Sequence, residues 1–558
     1  MRKTDAFRRA AALMAALSIT VSLAAPAFAG TYYIDYGNIT ITKDEHGKQT
    51  VQQGENEAVE DSGEIIITTE KKVITTQESD LEGPAAEDTG FGPVVEDNYQ
   101  PAPPAQPEDA EEPKDADQPE STEEPKAADQ PEGADQPEGA DQPESTDQPK
   151  DADQQESADQ QESAGQQAQP QQAAPADAAP AAPAPANGFC DHIITVINKA
   201  ATALKLTLKD VKIDVSDTGD VNHYGPDQRG KAALSVQGSG DVEIELDGKN
   251  ELKSGAHRAG LDKNTFDSTG TLTLKDDNKE AGSLKATGGV NGGAGIGGSY
   301  GEGTKNITIT GGTVNAAGDW GGAGIGGGQE GSGEDITITG GTVNATGGYN
   351  GAGIGGGIGE YGNGKNIKIT GGTVNATGGI SGAGIGGGYG GSGEDITING
   401  GTVTAVGDDW GAGIGGGSNG SGKNITITGG TVTATGGVLG AGIGGGGGGF
   451  YGNGENITIT GGTVTASGCA GAGIGGGING SGSNVTVSRA AQVTVTASKS
   501  SDWNSADTGA TIGNGGSVTE DGDLVNGKEI QADISGLTTG YIHHIIYDEN
   551  GKKVKEWW

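Results

Sequence analysis

Seven copies of the pentapeptide Ala-Gly-Ile-Gly-Gly commit most of this chain to a repetitive fold. Their isoleucines are Ile296, Ile325, Ile354, Ile385, Ile414, Ile443 and Ile474. Successive copies lie about 29 to 31 residues apart, the length of one solenoid coil. Weaker relatives at Leu234, Leu261 and Ile512 extend the series to about ten coils. Each repeat holds three strand-like pieces separated by Gly-rich corners, as in NITIT from Asn306, TVNA from Thr313 and AGIGG from Ala294. Three strands and three corners make one turn of a triangular rod, so the spacing predicts an all-β parallel β-helix. Alternation along the strands predicts Ile307, Ile309, Val314, Ala316, Ala323 and Ile325 inside, with Thr308, Thr310, Thr313 and Asn315 outside. Side chains this small bury useful area only by stacking coil on coil.

A second periodic signal fixes the register. Asn306, Asp335, Asn366, Asp395, Asn424, Asn456 and Asn484 each precede the Ile-Thr-Ile type strand. Stacked amides at a corner can bond one another along the rod, so these positions read as a structural ladder. Asn fills the slot in most coils, which argues against a catalytic role for Asp335 or Asp395.

The rest of the chain divides by composition. Residues 1–29 read as a secretory signal peptide: Arg2, Lys3, Arg8 and Arg9, then an apolar run, then Ala27-Phe28-Ala29. The apolar run is shorter than the roughly 20 residues a bilayer requires, and no transmembrane segment is expected in the mature chain. Residues 30–98 carry two strand-like runs expected to form one or two coils or a cap. Residues 99–187 are an acidic Pro/Ala/Gln-rich linker, expected to be disordered. The helix repeats occupy 188–517. Residues 518–558 read as a capping hairpin turning at Asn550-Gly551. A net charge of -42 excludes nucleic acid as a partner by repulsion between like charges. Cys190 and Cys469, the only cysteines, fall about eight coils apart, roughly 38 Å at ~4.8 Å per coil, too far for a bridge within the chain.

The passage ALSVQGSGDVEIELDGKNELKSGAHRAGLDKN, followed by GTLTLKD, GSLKATGG and the GGTVTATGG and GAGIGGG repeats, resembles a known family. It is similar to the Gly-rich, pectin-lyase-like right-handed β-helix proteins of anaerobic bacteria described as carbohydrate-binding domain-containing. The resemblance runs from about Ala201 to Ile512, and Tyr32–Thr42 looks like that family's entry strand. It implies a secreted or cell-surface protein. Some such relatives bind calcium and pectin-type polysaccharide; the residues themselves predict no cofactor, and calcium is the one the resemblance implies, with no ligand positions assigned.

Function is then sought on the rod. GAGIGGG mimics a phosphate-cradling loop, but it recurs in every coil and no helix follows it. An Asp every nine residues, as calcium-binding nonapeptide repeats require, is absent. Alternation around Ile296 sends Gly295 and Gly297 outward and predicts a bare, flat glycine face. On its border sit Trp320, Tyr349 and Trp410, with Tyr361 and Phe450-Tyr451 as a second cluster. These aromatics either stack on sugar rings or merely cover corner backbone. Asp319, Asp408 and Asp409 are the acids at this corner; Asp319 and Asp409 lie about three coils apart, roughly 14 Å, beyond the ~9.5 Å of an inverting pair. His543 and His544 should face opposite ways on a strand, and His223 and His257 are isolated, which disfavours a histidine metal site. The outward Thr308/Thr310, Thr337/Thr339 and Thr426/Thr428 pairs would suit an ice-binding surface, but Lys368 and Asn399 interrupt them. The expected function is non-catalytic, extracellular polysaccharide binding. The alternatives are a structural or adhesive surface protein with a protein partner, and a polysaccharide lyase or hydrolase.

Overall fold

A computed structural model describes residues 30–69, 188–499 and 508–558, apart from Tyr224, Lys279, Phe450, Tyr451, Glu520 and Gly522. The signal-like segment, the acidic linker and the Phe450-Tyr451 pair lie outside these residues. The chain is an all-β parallel solenoid. Its strands form three stacks, named here for their sequences: the Ile-Thr-Ile stack, the Thr-Val-x-Ala stack and the Gly-Ile-Gly stack. Twelve parallel strands, from Ile39–Lys43 to Ile512–Gly513, make up the Gly-Ile-Gly stack, which gives eleven turns. That exceeds the ten read from the repeats because residues 39–43 pair in parallel with 194–198, and 65–68 with 206–209. The solenoid therefore begins before the acidic segment and resumes after it.

Alternation is obeyed in two of the three stacks. Ile307, Ile309, Val314 and Ala316 are buried, and their equivalents repeat inward coil after coil. Outward residues stand in columns. Thr313, Thr342, Thr373, Thr402, Thr431 and Thr463 are register partners in sequence. Asn344 donates to Asn315 and Asn375 to Asn344, each at 2.8 Å, an amide ladder that the three TVNA copies encode. Along the Ile-Thr-Ile stack, Lys368 stands between Thr337 and Thr397, and Thr428 donates to Asn399, so the threonine columns there are broken as the sequence indicates.

The Asn/Asp positions have a second reason beyond stacking. Asn306, Asp335, Asn366, Asp395, Asn424, Asn456 and Asn484 all lie at φ between 52° and 60°, the left-handed region that Asn and Asp tolerate best among residues with a side chain. Their side chains bond along the rod: Asn424 to Asp395 at 3.0 Å, Asn456 to Asn424 at 3.1 Å and Asn484 to Asn456 at 3.0 Å. One place earlier runs a column of alternating sign, Lys305, Glu334, Lys365, Glu394, Lys423 and Glu455. In near-identical coils the apolar core barely distinguishes one register from another. Skipping a coil would set Lys against Lys and Glu against Glu, which like-charge repulsion opposes.

The Gly-Ile-Gly stack breaks the alternation and overturns the expected bare face. The glycine after each isoleucine adopts φ of 134° to 144°, from Gly297 to Gly513, a conformation essentially confined to glycine. The strand folds sharply about its isoleucine, and the Ala323 N–H reaches the Gly327 carbonyl at 2.9 Å. The loops before and after the strand are tied together between coils, as where Ile358 N–H meets the Gly321 carbonyl at 2.7 Å. All of Gly321–Gly328 is buried. A Cβ on Gly295 would meet the backbone of Ala317 and Gly324 within 2.6 Å, and one on Gly386 would lie 1.9 Å from the Gly415 carbonyl. These glycines permit backbone contact between coils.

Gly386→Ala should therefore lose at least about 3 kcal/mol, from both strain and collision. Gly449→Ala, which meets nothing within 4 Å, should be near neutral. Urea unfolding of the two variants beside the wild type checks this; equal midpoints would contradict the packing.

Candidate functional site

The loops flanking the Gly-Ile-Gly strands form a ridge along the rod, and the aromatic residues sit on it. Trp320 and Tyr349 occupy the loop before the strand in adjacent coils. Coil stacking brings their rings face to face, 5.4 Å apart and 11° from parallel. About half of each side chain is exposed, 52% for Trp320 and 50% for Tyr349. Their planes stack along the axis, so they present edges and two outer faces rather than a continuous floor. Trp410, in the equivalent loop three coils on from Trp320, does not join them. It packs with Val438 against Leu439, Ala470 and Ile478, a small second core inside the ridge. Tyr361 is 74% exposed on the loop after its strand, and Tyr389 stands exposed on the equivalent loop of the next coil. The second cluster read from the sequence covers only the two 31-residue coils, and Tyr389 lies in a 29-residue one. Tyr451 lies outside the described residues.

Trp320 carries an unusual backbone. Its φ is 41°, and it is the only described Trp, Tyr or Phe in the left-handed region. Such a position costs a bulky residue about 1 to 2 kcal/mol. The adjacent Asp319 accepts the Asn291 N–H at 2.8 Å, tying this loop to the preceding coil. Burial pushes the Asp319 carboxyl above its ordinary range.

The other acids at the ridge, Asp408 and Asp409, are exposed. Asp408 accepts the N–H of Asp409, a local turn contact. Among the described residues no three His, Cys, Asp or Glu side chains converge, so a carboxylate-built calcium site does not fit them. Cys190 and Cys469 are free; burial pushes the Cys190 thiol up to about 12, which keeps it a thiol. His223 pairs with Asp220, while His543 and His544 stack on Trp558 and Trp557 in the C-terminal hairpin.

One charged cluster escaped the sequence reading. In the Leu261 coil, Asp262 and Lys263 replace the glycines of later coils and fill the space that backbone occupies there. Asp262 is buried, accepts from Ser299 and Asn264, and faces Arg258 at 3.3 Å; nearby, Arg229 pairs with Glu302. Burial, reinforced by Glu302, pushes its carboxyl up to about 6 despite Arg258. Lys263 is fully buried, donates to the Lys305 carbonyl at 2.9 Å, and is lowered to about 8 by burial. The inward placement of both charges makes this cluster a structural junction between the Leu-rich first coils and the glycine coils. The only sequence signal was the departure AGLDKN from AGIGGG.

Six segments match a beta helix repeat family model: residues 307–329, 336–358, 367–389, 396–418, 425–447 and 457–478. Each match begins on the Ile-Thr-Ile strand and ends beyond the Gly-Ile-Gly strand. No curated protein and no solved structure matches the chain.

The junction gives a pH prediction. Because the folded pKa of Asp262 lies above its ordinary value of 3.8, ionisation is less favourable in the folded chain. Stability is thus lost as pH rises from about 4 through about 6. Asp262→Asn should remove that loss, shifting the wild-type-to-variant difference by on the order of 2 to 3 kcal/mol between pH 4 and pH 7. Urea midpoints measured across this range check it; parallel profiles would contradict it.

Proposed function

We propose that this parallel β-helix is a non-catalytic extracellular module that binds polysaccharide along the ridge bearing Trp320, Tyr349, Tyr361 and Tyr389. The carrying observation is Trp320, an indole held half exposed on a left-handed backbone. Strain of this kind persists where the surroundings enforce it, and it concentrates at ligand contacts. The outer faces of the Trp320–Tyr349 pair offer stacking area to a pyranose ring. The phenol oxygens of Tyr361 and Tyr389 offer hydrogen bonds to its hydroxyls. Columns of Thr and Asn on the neighbouring sheet extend the uncharged polar surface from coil to coil. The signal-like N-terminus and the resemblance to carbohydrate-binding β-helix proteins favour an extracellular role. The engaged or buried state of Asp319, Asp408 and Asp262 favours binding without turnover.

The mutual stacking of Trp320 and Tyr349 favours a second reading, a structural or adhesive rod in which these rings stiffen the ridge. Pull-down on insoluble polysaccharides separates the two. Wild type should be retained and Trp320→Ala/Tyr349→Ala should lose at least about fivefold, roughly 1 kcal/mol. Equal retention of both removes the site, and retention of neither removes the function.

A further inference from the structure

The segment 529–540 crosses the end of the last coil and meets the hairpin formed by Tyr541–Tyr547 and Lys553–Trp557. Between them lies a cavity of about 550 Å³, within the roughly 300 to 1,000 Å³ of small-molecule sites. Its lining is dominated by aliphatic side chains, Ile534, Leu537 and Ile542 among them, with Tyr541 and Trp557 alongside. Ile534 remains 46% exposed, so apolar surface stays open here.

The polar groups differ in availability. Glu529 is fully engaged: its oxygens accept from the N–H and hydroxyl of Thr511 and from the N–H of Ile512, closing the last Gly-Ile-Gly strand. The His544 Nδ1 lies 2.7 Å from the same hydroxyl, and Trp557 covers the imidazole at 4.6 Å. Burial holds the His544 pKa below its ordinary value, leaving the ring neutral at pH 7. Lys555 is placed over the Trp557 ring, its Nζ 4.5 Å from the centroid, which sets a cation at the cavity rim. Of the neighbouring lysines, Lys553 is paired with Glu556, so Lys555 is the cation that lines the cavity.

We propose that this cavity is a binding site for a small anionic amphiphile, with its apolar body on the aliphatic floor and its anionic head at Lys555. A sugar fits less well, because the Trp557 ring is already covered by His544 and Lys555 and the floor offers few hydrogen bonds. The site is separate from the ridge, and its test is independent of polysaccharide retention.

The full chain is titrated with the dye 8-anilinonaphthalene-1-sulfonate, and the dye is then displaced with decanoate or with decanol. One saturable dye site, emptied by decanoate, is expected. Ile534→Asp should weaken both displacers at least about tenfold, and Lys555→Glu should weaken decanoate by a similar factor while sparing decanol. Both positions are exposed, and unchanged circular dichroism confirms folding. Absence of saturable binding, or binding indifferent to both variants, overturns the proposal. Co-sedimentation with anionic lipid vesicles without uptake of dye or decanoate also overturns it, assigning the face to a membrane.

Discussion

Everything in this rod depends on how closely the backbones of successive Gly-Ile-Gly strands approach. The Gly295, Ile296 and Gly298 amides each donate to the next coil at 2.9 to 3.0 Å, and the pattern repeats along the rod. A chain with only 32% hydrophobic residues cannot fill a wide interior. It narrows one edge of the coil until backbone packs on backbone, leaving a single isoleucine per coil to fill that edge. Glycine is required twice over, for a conformation near φ 135° and for the lack of a Cβ where a carbonyl stands about 2 Å from its place. Burial and coil-to-coil hydrogen bonding then come from the same atoms, which suits a repeat whose stability lies mainly between neighbouring coils.

Such economy leaves register weakly specified, and polar residues supply the missing specificity. The left-handed Asn/Asp corner fixes the start of each Ile-Thr-Ile strand, and its side-chain bonds join a coil to its immediate neighbour. Alternation of Lys and Glu one place earlier distinguishes the next coil from the one after it. Where the glycine rule lapses, at Asp262 and Lys263, an internal set of charges and carbonyls takes over the space and carries a pH dependence with it.

Most of the fold could be read from the chain because the interval between isoleucines equals the length of a turn. The inward residues of two stacks and the Asn/Asp ladder followed from that interval and from strand alternation. The third stack did not. Alternation assumes extended backbone, and the positive φ after each isoleucine reverses it, so glycines expected to face solvent are interior. Trp410 illustrates a related limit: it stands four places before its isoleucine where Trp320 stands five, and that one-place offset puts it in the slot of Leu439 and Ala470, in a local core with Ile478. Tyr389, the buried Asp262 and the C-terminal cavity depend on contacts between coils or between non-repeating segments, to which a period carries no pointer.

The ridge and the terminal cavity are thus additions to a framework whose central claim concerns the glycines. Native-state hydrogen exchange tests that claim most directly. If the Gly-Ile-Gly strands are interior and bonded coil to coil, the amides of Gly324, Ile325, Gly353 and Ile354 should exchange as slowly as those of Ile338 and Val343 in the other stacks. Exchange of those four amides at the rate of open glycine loops, with Ile338 and Val343 still protected, would contradict it.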